Sequence, residues 1–126
     1  MIKLKSILKV CDNSGAKIVK CLGILGGFKK KHAVLGDFIM VSIKQLRNKF
    51  KINSKVKKKE VYKALIVKTN IKIVKNTGYQ TKLIINSVVL LDKQKKPIAT
   101  RILVVIPSFL KQKKLQKIIN ISSGLI

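Results

Sequence analysis

Apolar and charged residues alternate from the first residues of this chain. Ile2, Leu4, Leu8 and Val10 share one parity and Lys3, Lys5 and Lys9 the other, with Ile7 the exception on the lysine side. This period of two predicts a half-buried strand over residues 2–10. Asp12-Asn13-Ser14-Gly15 offers side chains that bond their own backbone and a glycine free to take positive φ, so a turn leads into a second strand over 17–25. These two strands form a hairpin or a barrel corner. Gly26-Gly27 ends the second strand; residues 28–35 read as a basic loop, and Gly36-Asp37 turns into a third strand over 38–43.

Residues 44–59 show neither helical periodicity nor a long apolar run and read as a lysine-rich loop. Strand character resumes over 61–68. Residues 71–75 and 79–85 flank Asn76-Thr77-Gly78 as a hairpin, and 88–91 is a further strand. After a turn over 92–96 and Pro97, the stretch 102–106 is apolar and reads as a strand, and Pro107 suits the first turn of a helix over about 107–117. Short strands at near-regular spacing predict a mainly β chain, a small barrel in one domain over 1–126, with its one helical part near the C-terminus.

Composition turns this outline toward a partner. The chain carries 29 Lys plus Arg against 4 Asp plus Glu, a formal +25 on 126 residues. A body this basic repels itself and calls for a dense polyanion. The 47% apolar content suffices for a core, so the charge is displayed on a folded surface rather than a disordered tail. Arg47 and Arg101 are the only arginines. Lysine lacks the bidentate fork of arginine, so phosphate backbone and shape are better targets than base edges. The candidate nucleic-acid-binding residues are Lys29, Lys30, Lys31 and His32 in the first basic loop; Lys44, Arg47, Lys49, Lys51, Lys55, Lys57, Lys58 and Lys59 in the second; and Lys68. Phe28 and Phe50 lie within those loops and are the aromatic candidates for the interface, whereas Phe38 belongs to the core. No aromatic run is present to stack a series of bases.

Other chemistries find little support. Asp12, Asp37 and Asp92 sit in turn positions, and neither they nor Glu60 form a carboxylate pair spaced for acid and base work. The chain reads as no enzyme, without a nucleotide-cradling glycine motif. Cys11 and Cys21, ten apart with a single histidine, form no metal set and are read as free buried thiols; no cofactor is expected. The sequon at Asn120-Ile121-Ser122 is a chance match. Residues 2–10 hold no continuous apolar h-region, no run elsewhere approaches the ~18 residues of a membrane span, and no arginine- and serine-rich transit segment appears. The expectation is a protein without a membrane partner, made in the compartment where it works.

Asp12-Asn13-Ser14-Gly15-Ala16, Cys21 through Leu25-Gly26-Gly27, Gly36-Asp37, Lys63-Ala64-Leu65-Ile66-Val67-Lys68-Thr69 and Pro97-Ile98-Ala99-Thr100-Arg101-Ile102, in this order and spacing, resemble the universal large ribosomal subunit protein 14 family of bacterial type. The resemblance runs nearly end to end, to Lys117-Ile118-Ile119. It departs at Thr77, where the family usually has Asp, and at Leu83-Ile84-Ile85, where it has an aromatic followed by two acidic residues; Asn86 and Val89 match.

The resemblance implies a five-stranded β-barrel with a long hairpin and a short C-terminal helical segment. It implies a structural constituent of the large ribosomal subunit that lies on large-subunit rRNA near the subunit interface, contacts small-subunit rRNA in an intersubunit bridge and docks a neighbouring large-subunit protein. Thr100 and Arg101 match positions near where the family receives a ribosome-silencing factor. With Lys111, Lys113 and Lys114 they are the candidate protein and intersubunit contacts. A DNA-compacting basic protein is the alternative reading of the same charge. Lysine- and isoleucine-rich, arginine-poor composition is the bias of A/T-rich coding, which points to a mitochondrion-encoded protein of a mitoribosome in the matrix, with a plastid or a bacterial cytoplasm as alternatives.

Overall fold

A computed structural model describes residues 1–47, 54–111, 113 and 115–126. Among the described residues there are nine strands: β1 (Ile2–Lys3), β2 (Ile7–Val10), β3 (Ala16–Ile24), β4 (His32–Ala33), β5 (Phe38–Leu46), β6 (Val61–Lys68), β7 (Lys72–Val74), β8 (Gln80–Lys82) and β9 (Ser87–Leu91). Five of them close a barrel in the order β2-β3-β5-β6-β9. All neighbours in it are antiparallel except β2 and β9, which close the ring in parallel with Lys9 opposite Ser87 and Val10 opposite Val88. The expected mainly β fold and five-stranded barrel are therefore present.

Alternation explains both layers of packing. Leu8, Val10, Val19, Ile43, Ile66 and Leu90 point inward and fill the barrel with small partners such as Ala16 and Ala64. The opposite parity of β6 and β9, namely Leu65, Val67, Val89 and Leu91, points outward yet is also buried, under Ile102, Ile106, Leu110 and Ile118 of the C-terminal segment. A sheet covered on both faces loses its polar parity, which is why Ala64–Val67 and Val88–Leu91 read as continuous apolar runs.

Several expected elements differ. The strand over 2–10 is broken: Lys5 takes φ +66°, Ser6 Oγ accepts from Lys3 N–H at 3.0 Å, and Leu4 stands 56% exposed. This turn sends β1 to pair with β4 outside the barrel, Lys3 opposite His32. His32 thus stands on a short strand rather than in a loop. Lys44 is not in a loop either, because β5 runs on to Leu46, where Gln45 and Leu46 pair with Ile18 and Ala16. The following segment is pinned by Val56, which is fully buried in the barrel core.

The hairpin of β7 and β8 is shorter than expected, three residues a side, with Gly78 in its turn at φ +86°. Residues 102–106 form no strand. Ile102 N–H donates to Ile121, Leu103 N–H to Cys11 and Ile106 N–H to Gly124, so the partners are scattered and only isolated bridges result. The helical part is divided into a 3-10 turn at Ser108–Lys111 and a short α-helix, α1 (Gln116–Asn120), instead of one helix over 107–117. Gly36, at φ +78°, receives this tail: a Cβ there would stand 2.8 Å from Lys113 Cδ and 3.1 Å from Leu110 Cδ2.

Candidate nucleic-acid interface

The 4 acidic residues set how much of the positive charge is met from within the fold. Asp12 is fully buried: Oδ1 accepts from Ser14 N–H at 3.0 Å and from the Ser14 hydroxyl, and Oδ2 accepts from Leu90 N–H at 2.9 Å. Glu60 accepts from the Tyr62 hydroxyl. Asp92 caps its own turn by accepting from Lys93 N–H at 2.7 Å. Asp37 pairs with Lys30 Nζ at 2.7 Å and Lys113 Nζ at 3.6 Å, the only ion pairs among the described residues. Burial raises the Asp37 pKa, but the bonds from Lys30 and from Val34 N–H, with the charges of Lys30 and Lys113, outweigh it and hold the group below its ordinary value.

The first basic loop presents its aromatic openly. Phe28 is 92% exposed, and Lys29, at φ +51°, lays Nζ 5.4 Å from its ring centroid. Lys31 and His32 are exposed, while Lys30 is partly committed to Asp37. Lys113 also donates to the Leu35 carbonyl at 3.2 Å. The loop and the tail, expected to serve RNA and protein contacts separately, thus meet at Asp37.

Lys44, Lys55, Lys57, Lys58 and Lys59 are exposed, as is Lys111. Arg47 is half-buried and donates from Nη2 to the Val10 carbonyl at 3.2 Å, so part of its role is to tie β2 to the end of β5. Lys49, Lys51, Lys114 and Phe50 lie outside the described residues. Phe38 is partly buried against the outer core, with Lys95 Nζ 4.9 Å from its ring centroid.

A grouping that the linear sequence does not display is an open cleft of ≈ 450 Å³ where Arg47 and Lys68 face Lys9 and Lys82, with Ile84, Ile85 and Leu103 on its wall. Lys17 stands beside Lys9 and Arg47 in an adjoining recess. Lys9 and Lys17 were not among the candidates, although the first hairpin carries the signal: Lys9 pairs opposite Ile18, next to Lys17. The β7–β8 hairpin brings Lys82, and no spacing in the chain announces that approach.

Thr100 and Arg101 are exposed at a turn fastened by Asn13 rather than at the start of a strand. Asn13 Nδ2 donates to Thr100 Oγ1 at 2.7 Å, and its Oδ1 accepts from Thr100 N–H at 3.0 Å and Arg101 N–H at 3.3 Å. The Asp12-Asn13 pair thereby holds two distant segments, β9 through one side chain and the 100–101 turn through the other.

Cys11 and Cys21 are buried and unbonded to each other; burial, then the charge of Asp12, pushes the Cys11 thiol up to about 12, and burial also raises Cys21. Burial and the bond to Glu60 raise the Tyr62 hydroxyl. What the arrangement offers is a rigid barrel bearing cations that its own acids do not neutralise, a surface for a polyanion. The family model described as ribosomal protein L14p/L23e matches residues 1–126, the full chain, and the protein belongs to this family of structural proteins of the large ribosomal subunit.

Proposed function

We propose that the protein binds folded large-subunit rRNA chiefly by lysine-to-phosphate contacts, near the subunit interface, and contributes there to a bridge with small-subunit rRNA. The observation that carries this reading is the commitment of the acids. Asp12, Glu60 and Asp92 bond backbone or hydroxyl groups and Asp37 takes two ammonium groups, so the remaining cations need an external counterion. Phosphate contacts of this kind position a protein on a folded RNA without reading base sequence. Sedimentation tests it: tagged chain is expected in the large-subunit fraction and in joined ribosomes, and to prefer ribosomal RNA over duplex DNA of equal length. Equal affinity for the DNA would favour the compacting alternative.

The reading extends to protein partners, a neighbouring large-subunit protein and a ribosome-silencing factor. The Asn13 clamp supports the second, since it holds the exposed Arg101 on a fixed turn, where its guanidinium offers a planar donor fork that lysine lacks. Arg101→Ala is expected to weaken factor binding by about 1–3 kcal/mol, the range for a lost charged hydrogen bond, while subunits still assemble. Unchanged binding would leave Arg101 an ordinary surface charge. The lysine- and isoleucine-rich composition supports a mitoribosome as the setting, with a plastid or a bacterial ribosome as the alternatives. Recovery of the chain with matrix ribosomes of purified mitochondria decides between them.

A further inference from the structure

We propose that the cleft between β2, the end of β6 and the β7–β8 hairpin takes one unpaired nucleotide of RNA, a binding mode that rests on the rRNA reading above and goes beyond phosphate contact. Lys9, Arg47, Lys68 and Lys82 converge on it, and no acidic residue lines it. That charge is complementary to a phosphodiester and to no neutral ligand. Arg47 is held in place by its bond to the Val10 carbonyl. Among the described residues that bond uses one of its five N–H groups, and an anion in the cleft would meet others of the fork.

The wall is of a different kind. Ile84 is 84% exposed and Leu103 is 49% exposed, aliphatic side chains left in water beside four cations. Ile84 lies within the apolar run Leu83-Ile84-Ile85. Such aliphatic side chains offer an apolar face to a base. A base in a duplex has both faces stacked, so only a splayed-out nucleotide can lay one against such a wall. The ≈ 450 Å³ volume falls in the range of about 300–1,000 Å³ typical of small-ligand sites, which suits one nucleotide and not a helix.

The test uses the full chain with labelled isoleucine and leucine methyl groups, titrated with a single-stranded uridine trinucleotide and, separately, with a blunt RNA duplex. The trinucleotide is expected to shift the Ile84 and Leu103 methyl resonances, and the duplex to bind without shifting them. A double variant, Ile84→Ser with Leu103→Ser, changes only exposed side chains. It should lose about tenfold in trinucleotide affinity, in the range for removing one stacked base, and keep its duplex affinity. Lys68→Gln with Lys82→Gln should weaken the trinucleotide without removing the methyl shifts at saturation. Unmoved methyl groups, or an equal loss for both RNAs in the serine variant, would overturn the cleft proposal while duplex binding upheld the wider reading. A chain that binds neither RNA overturns both.

Discussion

Asp12 shows how much one side chain can join. Its carboxylate is sealed from solvent and accepts from both polar groups of Ser14 and from the backbone of β9. Asp12→Ala leaves those donors buried without partners. At about 1–3 kcal/mol for each orphaned group, the variant should lose at least about 2 kcal/mol in denaturant unfolding, with Asp12→Asn recovering part of it. Asp37 acts through charge instead. Its pKa is lowered in the folded state, so the unfolded chain takes up the proton first, and the stabilisation is present above about pH 4 and lost as pH falls through the folded value. The stability gap between wild type and Asp37→Asn should therefore narrow between about pH 6 and pH 3 in thermal unfolding, and a constant gap would place the effect elsewhere.

At the level of elements, the segment after β5 separates two kinds of residue that lie side by side. Val56 is fully buried in the barrel core, while Lys57, Lys58 and Lys59 are exposed. The turn around them is held by backbone bonds, Lys59 N–H to the Ile43 carbonyl at 3.0 Å and Ile43 N–H to the Glu60 carbonyl at 3.2 Å, which no side chain provides. Val56→Ala should cost about 1–3 kcal/mol through lost burial and a cavity. Changing the three lysines together to Ala should shift stability by under about 1 kcal/mol yet weaken assembly into the large subunit. Melting curves beside sedimentation profiles check both halves.

The strands of the barrel were legible where a pattern of two, or a short apolar run between turn residues, had nothing to compete with it; residues 61–68 coincide with β6. Legibility failed where a distant partner decided the local form. Nothing near Leu4 says that β1 will leave for β4, and apolar Ile102–Ile106 looks like a strand because the sequence hides that its backbone bonds go to several different segments. The basic loops could be named as candidates from charge alone, but the cleft required knowing which ends of β2, β5, β6 and β8 come together.

For the whole molecule, packing sets the shape and the proposed binding rests on charge. With +25 unneutralised from within, association with rRNA should release many counterions. The logarithm of the binding constant is expected to fall with the logarithm of salt by about 0.7–0.9 per phosphate contacted, a steep slope for several contacts. Filter binding across a salt series measures it, and a nearly flat dependence would contradict lysine-to-phosphate binding.

The parallel seam between β2 and β9 sets an order of events. Lys9 meets Ser87 and Val10 meets Val88, so the ring has no closed form until most of the chain has been made. Contacts spanning such sequence distances form late, after the loop-closure entropy has been met. A nascent chain halted short of β9 has the early lysines but no barrel to arrange them on, and no seam to form the cleft. A chain must therefore extend through β9 before its early lysines can share one assembled surface, so closure of the ring, rather than the synthesis of any one basic segment, is what completes that surface.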